Sequence, residues 1–265
     1  MSDNLRIAVI GTGNLGLSLV EGLLTKIDGS LITATDRNTK RIDHLTKDGV
    51  NVTTDNVQAI KNSDVIIFAL KPYVILSLID EMKDHFTDKH VVISVAAGVA
   101  ISELEKHAAP FTNIVRVMPN VAASVAESAS CISKNKASNE ALEKAQQCFN
   151  YIGSTMIINE DLMESATILA GCGTAFVLRF IRAMVQAGVQ IGFSSNAATQ
   201  IANQTVKGAA ELLLSSGNHP EAEIDKVTTP KGVTITGLNE MEHQGFSAAL
   251  IRGMLTAYNK IDTGK

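Results

Sequence analysis

Short, almost uniformly apolar runs alternate with longer stretches of mixed polarity through the first half of the chain. The clearest apolar runs are residues 5–10 (LRIAVI), 64–70 (DVIIFAL) and 91–95 (VVISV). Runs of this length, rich in β-branched residues, are typical of strands that are buried on both faces of a sheet. Residues 31–35 and 114–117 are further strand candidates, and helical patterns separate them all. This alternation predicts an α/β fold with a doubly wound parallel sheet.

The second half of the chain has a different pattern, because strand-like runs disappear from about residue 161 and only helical patterns remain. We therefore expect two domains, an α/β domain at 1–160 and an all-helical domain at 161–265. Residues 162–191 are apolar almost throughout, interrupted only at Gly171-Cys172-Gly173. A helix that is apolar on nearly all sides is buried in a large core or in a subunit interface. In a chain of 265 residues the interface is favoured, which predicts an intertwined homodimer through the helical domain.

The first apolar run leads directly into a glycine motif, GTGNLG, which a helical pattern follows. Strand, GxGxxG and helix together form a unit that binds dinucleotides. The first glycine makes a tight turn, the second lets a pyrophosphate approach the backbone, and the third lets helix and strand pack closely. The N-terminus of the helix then directs free N–H groups at the phosphates. We expect a cofactor site at Gly11, Thr12, Gly13, Asn14, Leu15 and Gly16.

The acidic residue Asp36 follows the second strand candidate, 20 positions after Gly16. An acid at this distance binds the ribose hydroxyls of NAD-type cofactors. Arg37 beside it could instead reach a 2′-phosphate, so the cofactor class is NAD(P)H. Because a carboxylate near the 2′ position repels a phosphate, Asp36 favours NADH slightly.

Three loops that contain small residues follow later strand candidates, at 69–72, 96–98 and 118–120. In a doubly wound sheet the carboxyl ends of such strands face one crevice, where ligands bind. Any one of these loops could be an ordinary turn between a strand and a helix. Three of them in register with the glycine motif favour a ligand site.

The segment 227–239, VTTPKGVTITGLN, carries the second group of candidate residues. Thr229 is a favourable N-cap and Pro230 a favourable first helical residue, so a helix with free N–H groups is expected to begin there. Such an end attracts a carboxylate, and Lys231 adds positive charge. Thr234 would present a hydroxyl one turn into the helix. A capped surface helix with no ligand is the alternative.

Composition narrows the classes of partner. The net charge of −4 and 4% aromatic residues argue against nucleic acid. The three cysteines form no CxxC motif, which favours reduced thiols, a cytoplasmic protein and no bound metal. No apolar run is expected to reach the length of a membrane span. Because the chain enters its first strand almost at once, no signal peptide is expected either.

A set of motifs runs in order along the chain: GTGNLG at 11–16, Asn56, FALKP at 68–72, SVAAGV at 94–99, RVMPN at 116–120, LAGCGTAF at 169–176, QTVKGAAELL at 204–213 and VTTPKGVTITGLNEME at 227–242. Taken together, these motifs resemble those of the pyrroline-5-carboxylate reductases over nearly the whole chain. The resemblance implies NAD(P)H-dependent reduction of 1-pyrroline-5-carboxylate to L-proline, the last step of proline synthesis. It also implies an N-terminal Rossmann-type domain, an all-helical C-terminal dimerisation domain and often higher oligomers.

The same resemblance implies residue roles. Gly11 to Gly16 would hold the pyrophosphate, and Asp36, Arg37 and Asn56 would surround the adenosine ribose. The nicotinamide side would be lined by Ala69, Leu70, Lys71, Pro72, Ala96, Ala97 and Gly98. The substrate pocket would be formed by Thr229, Lys231, Gly232, Val233 and Thr234, with backbone N–H groups on the substrate carboxylate and Thr234 as the catalytic residue near the ring nitrogen.

The chain departs from the family pattern at three places. Lys231-Gly232 stands where the family has two glycines, Val121-Ala122 where it has Thr-Pro, and Thr174 where it has Pro. These departures leave open a divergent paralogue acting on another cyclic imine, or a regulatory nucleotide-binding protein. A β-hydroxyacid dehydrogenase of similar architecture would need a lysine on the long helix, and residues 175–179 contain none.

Overall fold

The computed structural model describes residues 5–262, and the structural statements below refer to those residues. The chain divides into two compact units, with the boundary between Thr174 and Ala175. We call residues 5–174 the sheet unit and residues 175–262 the helical unit. The helical segment that begins at residue 160 therefore lies in the sheet unit as far as Thr174.

The sheet unit is built on eight strands in the order β3-β2-β1-β4-β5-β6-β7-β8. Neighbouring strands run parallel except β6 and β7, which are antiparallel. The doubly wound fold is confirmed, whereas the antiparallel pair and the last two strands were not anticipated. The strand order reverses at β1, which places a ligand-binding crevice between β1 and β4. The strands are β1 (Ile7–Ile10), β2 (Ile32–Thr35), β3 (Asn51–Thr53), β4 (Val65–Phe68), β5 (Val91–Ser94), β6 (Ile114–Met118), β7 (Ser128–Lys134) and β8 (Gly153–Ile157).

Helices cover both faces of this sheet and close two apolar layers. The layer that contains Val9 packs against α1 and α5, and the layer that contains Ile10 packs against α3 and α4. Successive residues of β1 thus point to opposite faces, and both are fully buried, which explains the unbroken apolar run. The helices of this unit are α1 (Asn14–Leu24), α2 (Asn56–Lys61), α3 (Pro72–Met82), α4 (Ile101–Ala108), α5 (Asn139–Asn150) and α6 (Met163–Ala166).

A π-helical segment, Thr167–Cys172, continues α6 into the long helix α7 (Gly173–Gln190). The helix therefore continues through Gly171, which lies in the π-helical segment, and Gly173, which is the first residue of α7. In the helical unit, Val185 of α7 packs on Ala198 and Ala202 of the next helix in a small apolar cluster. The remaining helices are α8 (Ser195–Ser216), α9 (Pro220–Val227), α10 (Val233–His243) and α11 (Phe246–Asp262).

Large apolar side chains lie exposed on several helices of the helical unit. Leu178 of α7, Leu214 of α8 and Ile251 of α11 are 58%, 81% and 58% exposed. The helical stretch Glu160–Gln190, 31 residues long, is long and apolar enough to cross a membrane by length and composition alone. This corrects the expectation that no apolar run reaches that length. Apolar surface of this extent typically marks a region that another protein or a membrane covers.

Candidate active site

The turn between β1 and α1 is fixed onto the end of β2. The backbone nitrogens of Gly11 and Thr12 each donate to the carbonyl oxygen of Thr35 at 3.0 Å. The hydroxyl of Thr12, which is buried, donates to the same oxygen at 3.0 Å. Gly11 has φ +89°, a conformation that L side chains rarely adopt. Three hydrogen bonds to one carbonyl therefore hold the first half of the glycine motif in place.

The second half of the motif forms an open cradle at the N-terminus of α1. Gly13 is the N-cap of α1, and a Cβ atom built on it would meet nothing within 4 Å. A Cβ atom on Gly16 would lie only 2.2 Å from the carbonyl oxygen of Gly11. The first turn of α1 contains no acidic residue, and no side chain in the described part of the chain bonds its free N–H groups. Open space at Gly13, close packing at Gly16 and free N–H groups suit the pyrophosphate of a dinucleotide.

Residues at the end of β2 and the start of α2 lie together beside this turn. The hydroxyl of Thr35 donates to Oδ1 of Asn56 at 2.7 Å. Oδ1 of Asp36 accepts a hydrogen bond from the backbone nitrogen of Asn38 at 2.9 Å, which closes a local turn. Arg37 is exposed. Asp36, Arg37 and Asn56 thus occupy the side of the switch point toward β2, where the sequence predicts the adenosine ribose.

The loop after β4 lies directly against the glycine turn. The backbone nitrogen of Ala69 donates to the carbonyl oxygen of Ile10 at 2.9 Å. Leu70 packs onto Gly11, because a Cβ atom at Gly11 would lie 2.4 Å from Cδ2 of this leucine. Lys71 and Pro72 are exposed at the N-terminus of α3, where Pro72 is the first helical residue. The loop thus continues the crevice from β1 to β4.

The loop after β5 extends the crevice by one more strand. The backbone nitrogen of Val95 donates to the carbonyl oxygen of Phe68 at 3.2 Å, so β4 and β5 end side by side. Ala96 is buried, whereas Ala97 and Gly98 are exposed. Gly98 has φ +72° with open space where a Cβ atom would stand. The candidate cofactor residues of the sheet unit therefore lie at the carboxyl ends of the strands, on both sides of the switch point between β1 and β4.

Asn120 is a buried residue at the end of β6 whose role sequence reasoning missed. Its Nδ2 donates to the carbonyl oxygen of Ala170 in the π-helical segment at 3.1 Å. Its Oδ1 accepts from the backbone nitrogen of Ala122 at 2.9 Å and so caps the 3₁₀ turn that begins at Val121. An Asn directly after a strand is a signal for capping. The hydrogen bond from its side chain to Ala170, 50 positions away, cannot be predicted from the neighbouring sequence. The departures at Val121 and Ala122 thus lie within a turn that Asn120 holds.

The predicted start of the helix at Thr229 and Pro230 was wrong. α10 begins at Val233, with Gly232 as its N-cap. The backbone nitrogen of Gly232 donates to the carbonyl oxygen of Thr229 at 2.8 Å, and Lys231 has φ +61°. These residues form a four-residue turn with Pro second and a left-handed residue third, a pattern in which glycine is the favoured third residue. Because Lys231 takes this conformation, the helix cannot begin until after it.

The N-terminus of α10 presents several groups to the surface of the helical unit. Its first turn contains no acidic residue, and none of the side chains that the structure describes bonds its free N–H groups. Val233 is 90% exposed, and Thr234 and Lys231 are also exposed. Among residues 5–262 neither the hydroxyl of Thr234 nor the ammonium of Lys231 has a hydrogen-bonding side-chain or backbone partner. Free N–H groups, a hydroxyl and a cation together can bind a carboxylate.

The described part of the chain offers no cluster of metal ligands, and two of its cysteines have a raised pKa. No group of three or more His, Cys, Asp or Glu side chains among these residues could hold a metal ion. Cys131, Cys148 and Cys172 are free thiols. Burial raises the pKa of Cys148 to about 12 and raises the pKa of Cys131 above its usual value. These two thiols therefore stay protonated near neutral pH and are poor nucleophiles.

Two family models match the chain. One, described as pyrroline-5-carboxylate reductase dimerisation, covers residues 160–263. The other, described as NADP oxidoreductase coenzyme F420-dependent, covers residues 6–98 and thus the glycine motif and the loop after β5. One match lies in each half of the chain and residues 99–159 lie outside both, with the first match beginning where the strand pattern ends.

Named relatives and a solved structure resemble the chain over nearly its whole length. Pyrroline-5-carboxylate reductase 2 of Dictyostelium discoideum is 39% identical over 278 residues, which cover 98% of this chain and 93% of that protein. Pyrroline-5-carboxylate reductase 1 of the same organism is 41% identical over 96% of this chain, which spans about half, 49%, of that longer relative. The structure of Plasmodium falciparum pyrroline carboxylate reductase with NADP bound superposes with a TM-score of 0.87, at 26% identity and 98% coverage of each chain.

Proposed function

The chain belongs to the pyrroline-5-carboxylate reductase family, and we propose that it reduces 1-pyrroline-5-carboxylate to L-proline with NAD(P)H, the last step of proline biosynthesis. The observation that carries this proposal is the open cradle at Gly13, which leaves room for a pyrophosphate beside the free N–H groups of α1. The reaction is an oxidoreduction of a carbon–nitrogen bond.

The sheet unit binds and orients the dinucleotide in this proposal. When bound, NAD(P)H supplies the hydride that adds to the imine carbon of the substrate. The backbone of Gly11 to Gly16 holds the pyrophosphate, and Asp36, Arg37 and Asn56 hold the adenosine ribose. The nicotinamide side is held by two loops. The residues at 96–98 are small, so the nicotinamide ring can come close to the backbone there. The residues of the two loops are Ala69, Leu70, Lys71, Pro72, Ala96, Ala97 and Gly98.

The helical unit recognises the substrate. The N–H groups of Val233 and Thr234 and the charge of Lys231 bind its carboxylate, next to Thr229 and Gly232. The hydroxyl of Thr234 is placed to donate a hydrogen bond to the ring nitrogen as that nitrogen gains electron density. A substrate that binds with its imine already protonated requires no strong general acid. Positioning and electrostatic complementarity are then the main contributions of the protein.

The preference between the two reduced cofactors rests on residues at the end of β2. We propose a slight preference for NADH, because the carboxylate of Asp36 disfavours a 2′-phosphate close to it. The exposed guanidinium of Arg37 acts in the opposite direction, since it can pair with such a phosphate. The NADP in the Plasmodium structure shows that the phosphorylated cofactor suits that relative. The preference is therefore small and measurable.

The exposed apolar side chains of the helical unit support a homodimer. A second copy of this chain would remove Leu178, Leu214 and Ile251 from water, and the matching family model is described as dimerisation. We propose this dimer as the unit from which higher oligomers are built. An interface of this kind accounts for the apolar stretch Glu160–Gln190 without a membrane. The free thiols support a cytoplasmic location, and the net charge of −4 supports a small molecule, not nucleic acid, as partner.

The test is oxidation of NADH and of NADPH by the purified protein, with and without 1-pyrroline-5-carboxylate. Oxidation that depends on the substrate, with proline as the product, supports the proposal and ranks the two cofactors. Binding of either cofactor without substrate-dependent oxidation would overturn it. The departures at Lys231, Val121, Ala122 and Thr174 would then point to another cyclic imine or to a regulatory role.

A further inference from the structure

We propose that Glu160, held in place by Arg116, is a positioning residue for the loop Ala96–Gly98 on the nicotinamide side of the crevice. This inference rests on the proposed use of a nicotinamide dinucleotide. Oε1 of Glu160 accepts a hydrogen bond from Nη1 of Arg116 at 2.7 Å and another from the backbone nitrogen of Ile101 at 3.1 Å. One carboxylate therefore connects β6 to the first residue of α4, the helix that begins three residues after Gly98.

The hydrogen bond to Ile101 replaces a cap that α4 lacks. The N-cap residue of α4 is Ala100, which has no side chain able to bond the free N–H groups. Glu160 provides that bond from 59 positions further along the chain, and its negative charge lies at the positive end of the helix. Since only Val99 and Ala100 separate the loop from α4, the placement of the first turn sets the placement of Ala97 and Gly98.

Arg116 holds the carboxylate from within the sheet. Its side chain is 1% exposed, on the interior strand β6, between Ser94 of β5 and Ser133 of β7. Glu164 adds a second carboxylate, with Oε1 at 3.6 Å from Nη2 of the guanidinium. Among residues 5–262, Nε and Nη2 of Arg116 have no hydrogen-bond partner. A guanidinium in these surroundings contributes little to stability, because desolvation offsets much of its attraction to the carboxylates.

The loop at 96–98 lies where the nicotinamide is expected, so a connection that fixes this loop would support nicotinamide binding. The glycine motif follows β1, and the strand order places β4 and then β5 on the side away from β2. A dinucleotide whose pyrophosphate lies at α1 and whose adenosine lies toward β2 extends its nicotinamide toward the ends of β4 and β5. Gly98 has open space and positive φ in that loop, so no side chain of its own fixes its position. Glu160 supplies that constraint from outside.

The experiment compares two ligands in one set of variants. NADH contains the nicotinamide, and ADP-ribose contains only the adenosine, pyrophosphate and ribose part, so their affinities separate the two sides of the crevice. In Glu160→Ala we expect the affinity for NADH, measured by isothermal titration calorimetry, to fall about tenfold, as for loss of a hydrogen bond to a charged group. The affinity for ADP-ribose should stay within about twofold of the wild-type value, a change that corresponds to well under one such bond.

Two further variants test whether Glu160 acts through its hydrogen bond to the backbone of Ile101. Glu164→Ala is the matched control, because Glu164 faces the same guanidinium without a hydrogen bond to α4, and it should leave both affinities unchanged. Glu160→Gln keeps an oxygen that can accept from Ile101 and should restore most of the NADH affinity. A merely structural ion pair would instead lower the affinity for both ligands equally. An unchanged ratio of the two affinities in Glu160→Ala overturns the proposal, and Glu160→Gln that binds NADH no better than Glu160→Ala overturns the role of the hydrogen bond to Ile101.

Folding of the variants is checked by their melting temperatures. If Glu160→Ala does not fold, the double variant R116M/E160A is measured, since it leaves neither buried charge alone and still lacks the bond to Ile101. The same ratio test then decides. This readout needs no turnover, so it is separate from the proposed reaction. Wild-type protein that binds both ligands but does not reduce 1-pyrroline-5-carboxylate would overturn the function alone, and wild-type protein that binds neither ligand would overturn both.

Discussion

A Cβ atom on Gly16 would lie 2.2 Å from the carbonyl oxygen of Gly11, so these two glycines close the turn between β1 and α1 on each other. Three positions earlier than Gly16, Gly13 has no such neighbour within 4 Å. The motif thus contains one glycine that the fold requires and one that leaves room for a ligand. Substitution by alanine should separate the two requirements.

Gly13→Ala should weaken dinucleotide binding strongly and lower stability by less than about 1 kcal/mol, because alanine is a poorer N-cap than glycine. The φ of Gly13 is −74°, which alanine adopts readily, and the added methyl group would occupy the open cradle. We expect an affinity for NADH lowered by about tenfold or more, corresponding to at least about 1.4 kcal/mol. Gly16→Ala should instead lower the free energy of unfolding by about 1–3 kcal/mol, as overpacking does. Calorimetric titration and thermal melting measure the two effects, and equal stability loss in both variants would contradict this division.

Lys231 should lower stability and improve substrate binding at the same time. Its φ of +61° favours glycine, so Lys231→Gly should raise the free energy of unfolding by about 1 kcal/mol. Lys231→Met keeps the unfavourable backbone and the long side chain but removes the charge. It should raise the KM for 1-pyrroline-5-carboxylate, with no change in melting temperature, and reduce the sensitivity of KM to salt. The same KM in wild type and Lys231→Met would show that the cation does not contact the substrate.

Thr234→Ala should lower kcat by about tenfold to a hundredfold, because its hydroxyl supports the ring nitrogen as charge develops. Thr234→Ser keeps the hydroxyl and should retain most of the rate. The control is Thr236→Val, since Oγ1 of Thr236 already donates to the carbonyl oxygen of Gly232 at 3.1 Å. Steady-state kinetics at saturating cofactor measure the effect. Turnover of Thr234→Ala at the wild-type rate would remove this residue from the mechanism.

Asp36→Ala should shift cofactor preference toward NADPH. Removal of the charge relieves repulsion of the 2′-phosphate, and the ratio of kcat/KM for NADPH to that for NADH should rise about tenfold. Asp28→Asn removes the same charge at the amino end of β2 while keeping an oxygen for the backbone nitrogen of Ser30, so it should leave the ratio unchanged. A strong preference for NADPH in the native protein that persists in Asp36→Ala would refute this assignment.

His90 should make the protein less stable in mild acid. Burial, and to a smaller extent Lys89, lower the pKa of His90, and its Nδ1 accepts a hydrogen bond from the backbone nitrogen of Thr87 at 3.0 Å. The unfolded chain takes up a proton below about pH 6.5 that the native state resists, so stability is full above that pH and falls as the pH decreases. His90→Gln, which does not titrate, should lose less melting temperature between about pH 7.5 and about pH 5.5 than the wild type. An equal loss in both proteins would assign the acid sensitivity elsewhere.

The sequence predicted best those parts of the fold whose causes are local. The run from Leu5 to Gly16 contains both the buried strand and the turn glycines, and each residue type there has a reason within a few positions. β7, SASCISK, was missed because its residues are small and polar, although several are buried by partners that lie elsewhere in the chain.

Contacts between distant positions limited the prediction of the site. Thr229 and Pro230 form a strong local signal for a helix start. The positive φ of Lys231 prevents that start, and it cannot be predicted from the residue type, because lysine rarely adopts it. The bond between Glu160 and Arg116 joins positions 44 residues apart, and Arg116 lies in a strand that otherwise reads as apolar. Such pairs become visible only when the strands and helices are assembled.

The apolar side chains that stay exposed on α7, α8 and α11 should make the stability of this protein depend on its concentration. Association that covers them adds a free energy that grows with the logarithm of the protomer concentration, so dilution alone should lower the melting temperature. Unfolding would then involve two chains in one equilibrium. Each variant has to be compared with the wild type at equal protomer concentration, because a substitution on these helices would change its melting temperature through association as well as through the stability of the single chain.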